Sequence, residues 1–372
     1  MKPNEKPLWM ADRFRGCLLG GAAGDALGYE VEFLFTDRIV KDYGPRGITQ
    51  YALHNGTAQI SDDTQMTLFT ANGLLVGETR GHMRGIMGPY AGYVAQAYRE
   101  WYRTQGMRKE QDGLQTCWLM DVPQLYAARA PGVTCLSAIE DGCSGSIEAP
   151  INRSKGCGGV MRTAPVGLRL RDPLEACRVG AQVAALTHGH EMGYIPAGVL
   201  AHMVNRLVNE EEITLCEALE DALSALPHLF PGAETLPDFL ALMEKAQQLA
   251  LNRKSDPENI ASLGQGWCGD EALAIAVYCA LRYDDDFDRA LVAAVNHDGD
   301  SDSTGAITGN LLGAAMGLSR IPPRYLENLE AADVIREMAE DLLQDCPISE
   351  YHPIDTPQKQ AWYRKYVEGR RA

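Results

Sequence analysis

Apolar residues recur along most of the chain at three- and four-residue spacing, while the alternating Val, Ile, Thr and aromatic runs that mark strands are almost absent. The pattern predicts an all-α protein. Helix-length windows run from Trp9 to Leu27, Asp62 to Val76, Tyr90 to Thr104, Pro173 to Thr187, Ile195 to Leu207, Leu215 to Ala225, Leu236 to Leu251, Asp270 to Tyr283, Phe287 to Asn296, Ser303 to Gly317 and Ala331 to Leu343. Between them, Gly81 to Gly88, Asp141 to Gly159 and Asn252 to Gly266 read as surface loops rich in Gly, Pro and polar residues. None of these is both long and low in complexity, so the 372 residues read as a single domain spanning 1–372. No fixed-period repeat is present, which counts against a solenoid.

Small residues add a packing constraint. Gly305, Gly309, Gly313 and Gly317 fall every four residues along the last long apolar window, and Gly20-Gly21-Ala22-Ala23-Gly24 forms a similar ridge near the start. Both ridges are explained by tight helix packing. Together they predict two helices in close contact at the centre, with their ends brought together.

Two acidic segments sit at helix starts: Ser61-Asp62-Asp63-Thr64 and Asp298-Gly299-Asp300-Ser301-Asp302-Ser303-Thr304. Either alone is accounted for by capping, since Ser61 and Ser303 suit an N-cap and acids complement the helix dipole. The pair points further. If the two starts meet, Asp62, Asp63, Asp300 and Asp302 converge with Ser61 and Ser303. Two carboxylates about 5 Å apart repel by roughly 3 kcal/mol at an effective dielectric near 20, so a divalent cation resolves the conflict. Oxygen ligands without a Cys or His pattern favour Mg²⁺, with Mn²⁺ as the alternative, over Zn²⁺.

The loop Ser154-Lys155-Gly156-Cys157-Gly158-Gly159-Val160-Met161-Arg162 reads as glycines leading into an apolar helix, where exposed N–H groups suit a phosphate; it lacks the ending of a P-loop. Thr187-His188-Gly189-His190 ends another helix, and its histidines read either as C-terminal caps or as groups that contact substrate. Asp25 and Glu32 flank the first helix, and only folding could bring either to the acids. Trp267, Tyr194 and Tyr29 are candidates for stacking on a base, although each taken singly fits the core.

Charge and cysteine content narrow the class. With 34 Lys plus Arg against 50 Asp plus Glu, a net charge of −16, a general nucleic-acid surface is excluded. The ten cysteines are dispersed and form no CxxC pair, which fits thiols in a reducing cytosol. Residues Met1 to Gly16 hold no secretory signal, and the longest apolar runs are too short to cross a bilayer. A soluble, cytoplasmic protein is expected.

The segments also form an ordered set. Gly24-Asp25-Ala26-Leu27-Gly28 with Val31-Glu32-Phe33, then Ser61-Asp62-Asp63-Thr64, Gly156 to Arg162 with Pro165 and Gly167, Thr187-His188-Gly189-His190, and Gly299-Asp300-Ser301-Asp302-Ser303-Thr304-Gly305 resemble the ADP-ribosylglycohydrolase family. That family includes the dinitrogenase reductase-activating glycohydrolases and the ADP-ribosylarginine hydrolases. The resemblance covers about residues 11–320 and leaves about 328–372 as a partly helical extension.

The resemblance implies a compact orthogonal helical bundle around a central dinuclear site with two Mg²⁺ ions, or Mn²⁺. It implies hydrolysis of the N-glycosidic bond joining ADP-ribose to an acceptor. Ser61, Asp62 and Asp63 with Asp302 would hold one ion, and Asp300, Asp302 and Ser303 the other. Glu32, Asp62 and Asp302 would take catalytic roles. Gly156, Cys157, Gly158, Gly159, Val160 and Met161 would cradle the diphosphate, and His188 would approach the ribose, with Tyr194 as a further substrate contact. The family more often has Thr at the place of Ser61 and Pro after the second histidine, where this chain has Glu191-Met192-Gly193. Asp300-Ser301-Asp302-Ser303 is closer to the arginine-specific hydrolases. The expected partner is an ADP-ribosylated protein, arginine-linked by preference. The alternatives are a hydrolase of another ADP-ribose derivative, and an immunity protein that blocks an ADP-ribosyltransferase by contact. No oligomeric state follows.

Overall fold

The computed structural model describes residues 6–106 and 115–372. The parts of the single-domain and signal-segment readings that fall on residues 1–5 and 107–114 lie outside the described residues. The described residues hold sixteen α-helices and no strand: α1 Leu8–Gly28, α2 Thr36–Tyr43, α3 Asp62–Arg84, α4 Tyr90–Thr104, α5 Val133–Glu140, α6 Ala164–Arg169, α7 Pro173–Ala185, α8 Glu191–Asn209, α9 Leu215–Leu229, α10 Leu236–Ala250, α11 Asp256–Leu263, α12 Gly269–Arg282, α13 Phe287–Val295, α14 Ser301–Met316, α15 Ala332–Leu343 and α16 Pro357–Tyr366. The all-α expectation is met. No helix among the described residues is long and apolar enough to cross a membrane.

Helices α1 and α14 form the centre, with every residue from Gly16 to Gly28 and from Ser301 to Ala314 buried. Over these stretches both helices are covered on all sides and need no polar face. They run antiparallel, with Gly16, Gly20, Gly24 and Gly28 meeting Gly313, Gly309, Gly305 and Ser301 in turn. The contact is backbone to backbone: a Cβ on Gly20 would lie 2.5 Å from the Gly309 carbonyl oxygen, and one on Gly305 would lie 2.5 Å from that of Gly24. Each glycine weakens its helix by about 1 kcal/mol relative to Ala, a cost that the close approach offsets. Consequently the C-terminal end of α1, with Asp25, and the turn that follows it, with Glu32, lie beside the N-terminal end of α14, with Asp300 and Asp302.

Several boundaries differ from the sequence expectation. Helix α3 continues past Val76 to Arg84 and stops at Gly85, which takes a left-handed φ of 66°, so half of the expected Gly81 to Gly88 loop is helix. The Asn252 to Gly266 stretch contains α11, opened by a capping box between Ser255 and Glu258. Helices α2 and α5 fall outside the expected windows because each is only eight residues long. Helix α8 begins at Glu191 rather than Ile195, since His190 Nδ1 accepts from the Met192 N–H and caps an extra turn ahead of Pro196. The C-terminal extension covers the body: α15 packs on α1, α3 and α6, and α16 on α3.

Because the obstruction at Gly24 is the Gly305 backbone, which cannot swing aside, Gly24→Ala is expected to lower the unfolding free energy by about 3 kcal/mol or more. Gly92 lies in α4, and a Cβ added there would meet nothing within 4 Å, so Gly92→Ala is expected to be neutral or to stabilise by about 0.5–1 kcal/mol. Denaturant melts of the two variants check this, and equal midpoints would contradict it.

Candidate metal centre

The first acidic segment is held by α1. Asp25 is fully buried, and its carboxylate accepts from the Ser61 N–H at 3.0 and 3.1 Å and from the Thr64 N–H at 3.1 Å, with a further bond from the Thr64 hydroxyl. It therefore caps α3 from a neighbouring helix. Ser61 Oγ adds a cap of its own by accepting from the Asp63 N–H at 3.2 Å. Burial still pushes the Asp25 carboxyl up to about 6 against the effect of these bonds.

Asp62 is fixed by the 126–132 segment. Its N–H donates to the Arg129 carbonyl at 3.2 Å, and its Oδ2 accepts from the Gly132 N–H at 3.2 Å. Arg129 is itself anchored by a bidentate pair with Glu330 and by donation to the Ile60 carbonyl at 2.9 Å. Between these anchors Ala130 takes a left-handed φ of 49°, an uncommon backbone for a residue with a Cβ. Neither Arg129 nor Glu330 stands out in the sequence, because nothing local marks a pair 201 residues apart.

The second segment is the N-terminus of α14. Asp300 caps it, its Oδ1 accepting from the Ser303 N–H at 3.3 Å, while Asp302 Oδ1 accepts from the same N–H at 2.9 Å. Gly299 at φ 152° lets the chain turn tightly against Gln265, whose carbonyl accepts from the Asp300 N–H at 2.9 Å. Carboxylate oxygens of Glu32, Asp300 and Asp302 lie within 4.8 Å of one another.

These groups surround one cavity of about 380 Å³, lined by Glu32, Asp62, Asp63, Asp300, Asp302 and Ser303 on one side and by Gly156, Cys157, Gly158, Met161 and His188 on another. Glu32 Oε2 and Asp63 Oδ2 are buried without a hydrogen-bond partner. Burial, reinforced by neighbouring carboxylates, pushes Glu32 up to about 9, and burial pushes Asp62 up to about 8; Asp63 and Asp302 are also driven well above the usual range. Buried acids with orphaned oxygens are what a divalent cation needs, and the donor set fits a hard ion.

The glycine loop differs in detail from its expected form. It makes a short 3-10 turn at Cys157–Gly159 and reaches only the six-residue α6, rather than opening a long helix. Gly159 sits against the Gly193 backbone, and a Cβ on Gly158 would lie 3.0 Å from the His188 ring. Below the loop, Arg162 is fully buried over the Tyr98 ring at 4.4 Å, with no carboxylate partner among the described residues. It donates to Thr187 Oγ1 at 2.6 Å, and that hydroxyl lies 2.8 Å from His188 Nδ1. Burial and Arg162 push His188 down to about 3, so it is neutral. His188 Nδ1 is the nearer acceptor for the Thr187 hydroxyl, the Ala184 carbonyl lying at 3.4 Å, and donation to Nδ1 would place the ring proton on Nε2.

Not every candidate reaches the cavity. Gly159 and Val160, within the loop, and Ser61, at the start of α3, are buried and are not among the residues that line the cavity. Tyr194 packs on Phe230 at 6.1 Å and lines a neighbouring cavity of about 460 Å³ with Asn152, Arg153 and His190. His190 caps an N-terminus instead of a C-terminus. Trp267, in contrast to a core residue, is 39% exposed on the cavity rim and stacks on Phe33 at 5.9 Å.

The model of the ADP-ribosylglycohydrolase family matches residues 7–350. The chain belongs to the ADP-ribosylglycohydrolase family. It is 25% identical to ADP-ribosylhydrolase ARH3 of Mus musculus over 90% of this chain and 92% of the relative. It is 26% identical to ADP-ribosyl-[dinitrogen reductase] glycohydrolase of Rhodospirillum rubrum, covering 86% of this chain and 90% of that one. ADP-ribosylarginine hydrolase Tri1 of Pseudomonas putida (strain GB-1) is also 26% identical, over 93% of this chain and 85% of the relative. Among solved structures, a chain of an ADP-ribosylglycohydrolase-related protein complex superposes with a TM-score of 0.59 at 25% identity, covering 90% of this chain and 98% of that one. Membership in this family makes the chain a glycohydrolase.

The raised carboxyls give a pH signature. Glu32 and Asp62 keep protons in the metal-free folded state that the unfolded chain releases near pH 4, so their contribution to stability is full below that pH and is lost as pH rises through about 8 and 9. Thermal melts between pH 5 and 9 are expected to show this decline without divalent cation and a flatter profile with excess Mg²⁺. A profile unchanged by Mg²⁺ would contradict the site.

Proposed function

We propose that the chain hydrolyses the N-glycosidic bond between ADP-ribose and an acceptor side chain, arginine by preference, and so reverses mono-ADP-ribosylation, with the chain acting as one catalytic unit. The reading is carried by the convergence of Glu32, Asp62, Asp63, Asp300 and Asp302 on one cavity that the glycine loop also lines. The name of the Pseudomonas relative and the Asp300-Ser301-Asp302-Ser303 sequence support the arginine acceptor, and the name of the Rhodospirillum relative supports an ADP-ribosylated protein as substrate.

Ser61, Asp62, Asp63, Asp300, Asp302 and Ser303 would hold two divalent ions, Mg²⁺ or Mn²⁺, which supply positive charge for the ribose hydroxyls and for water activation. The remaining steps belong to the chain itself. In the loop, Gly156 N–H is already given to Ser154 Oγ at 3.2 Å, Cys157 N–H to the Trp267 carbonyl at 3.1 Å, and the Val160 and Met161 N–H groups to the Cys157 carbonyl at 2.8 and 3.2 Å, so the diphosphate meets the turn at Gly158. His188 Nε2–H offers a neutral donor beside it. Met161 and the Cys157 side chain wall the cavity from the loop side. Trp267 and Phe33 form an aromatic surface at the rim on which the adenine stacks. As the C–N bond breaks, its electron pair goes to the arginine nitrogen, which leaves as neutral guanidine and regains a proton as water adds, while the ribose passes through an oxocarbenium-like state that the surrounding carboxylates stabilise. With the cations bound, Glu32 or Asp62 would be ionised and would take the proton of the attacking water.

The test is product release from ADP-ribosylated arginine, serine and nucleic-acid-end substrates with and without chelator. Intact ADP-ribose plus unmodified arginine is expected, abolished by chelator and restored by Mg²⁺, and Asp302→Ala is expected to cost at least about a hundredfold in kcat/KM. AMP as product, or normal turnover by Asp302→Ala, would overturn the reading.

A further inference from the structure

One group in the cavity has no place in a hard-ion site. Cys157 projects its thiol onto Asp300, with Sγ 2.6 Å from Oδ2. Its backbone is pinned: the Cys157 N–H donates to the Trp267 carbonyl at 3.1 Å, and next to it Gly156 pairs with Cys268 while the Gly269 N–H donates to the Lys155 carbonyl at 2.7 Å. The sulfur is therefore held where it is, and it lines the same cavity as Glu32, Asp63 and Asp302. Independently, Glu32 and Asp63, 7% and 3% exposed, each turn an unpartnered oxygen into this space.

We propose that Cys157 and Asp300, with Glu32 or Asp302 completing the set, form an inhibitory site for thiophilic divalent ions such as Zn²⁺ and Cd²⁺. The inference rests on reading these acids as a divalent-cation site. Mg²⁺ has little affinity for sulfur, so with Mg²⁺ the thiol stays protonated and donates to Asp300. Zn²⁺ or Cd²⁺ takes sulfur and carboxylate oxygen together: a metal–sulfur bond forms, the thiol proton passes to water, and no electron is transferred. Binding in this way ties the glycine loop to Asp300 and removes Asp300 from the hard-ion set. The remaining cysteines offer no equal. Six are buried, and the one of these that lines the same cavity, Cys135, takes a hydrogen bond from Arg162 at 3.4 Å. The exposed Cys216 has a single glutamate beside it at 3.4 Å, the half-buried Cys346 bonds to the Thr79 hydroxyl and the Ile348 carbonyl, and the half-buried Cys268 lies outside the cavity lining.

The probe is Cd²⁺ added to the full chain, read by sulfur-to-cadmium charge-transfer absorption in the ultraviolet. Wild type and Cys216→Ser are expected to gain a band that saturates at one ion per chain, and Cys157→Ser to lose it, with melting curves confirming that each variant is folded. In turnover assays at fixed Mg²⁺, each variant scaled to its own uninhibited rate, Cys157→Ser is expected to need at least about tenfold more free Zn²⁺ for half inhibition. Equal bands in wild type and Cys157→Ser, or no band in wild type while Mg²⁺ still stabilises the fold, would overturn this proposal alone. A protein that neither Mg²⁺ nor Cd²⁺ stabilises or binds would overturn the cation site beneath it.

Discussion

The backbone contact between α1 and α14 is the constraint on which the rest depends. With a Cβ at Gly20 or Gly305 the two helices could not approach as they do, since each would meet a carbonyl oxygen at 2.5 Å. Antiparallel packing at that distance fixes axial register as well as separation. It sets the end of α1 beside the start of α14, so Asp25 reaches across to cap α3 while Glu32 comes within reach of Asp300 and Asp302. A structural feature of the core thus decides which carboxylates can share a cation.

The electrostatics of the cleft follow from that placement. Five carboxyls are gathered in a buried space, yet the hydrogen bonds that fix Asp62, Asp300 and Asp302 come from the Gly132 and Ser303 backbone N–H groups rather than from lysine or arginine. Backbone donors orient the oxygens without neutralising them. Arg162, the buried cation closest in sequence to the loop, spends its donors on Thr187 and on sulfur atoms and so acts on the His188 side of the cavity. The acids are left to share protons or to bind metal, and Cys157 adds a soft ligand to an otherwise hard set.

Much of this is legible in the sequence, and for identifiable reasons. The four-residue glycine spacing announces a helix–helix contact whatever its partner, and acids at two helix starts announce that something must compensate them. Local patterns also locate the long helices, because roughly eleven to twenty residues average out local exceptions. What escapes is non-local or short. Helices α2, α5 and α6 are too short to show a period, and the capping box before α11 is hidden within a polar stretch. Asp25 is visible as a candidate but has no assignable role in the sequence, since its bonds to Ser61 and Thr64 span 36 and 39 residues. The Arg129–Glu330 anchor, the contact of Cys157 with Asp300 and the pairing of Trp267 with Phe33 all depend on tertiary packing.

The central claim is that the helix ends joined by the glycine contact form one divalent-cation centre. Anomalous scattering from a crystal of the full chain grown with Mn²⁺ tests it most directly. The account predicts Mn²⁺ peaks coordinated by Asp62 and Asp63 from one helix start and by Asp300 and Asp302 from the other. Mn²⁺ peaks only elsewhere on the protein, with these carboxylates bonded to one another through protons or water, would contradict it.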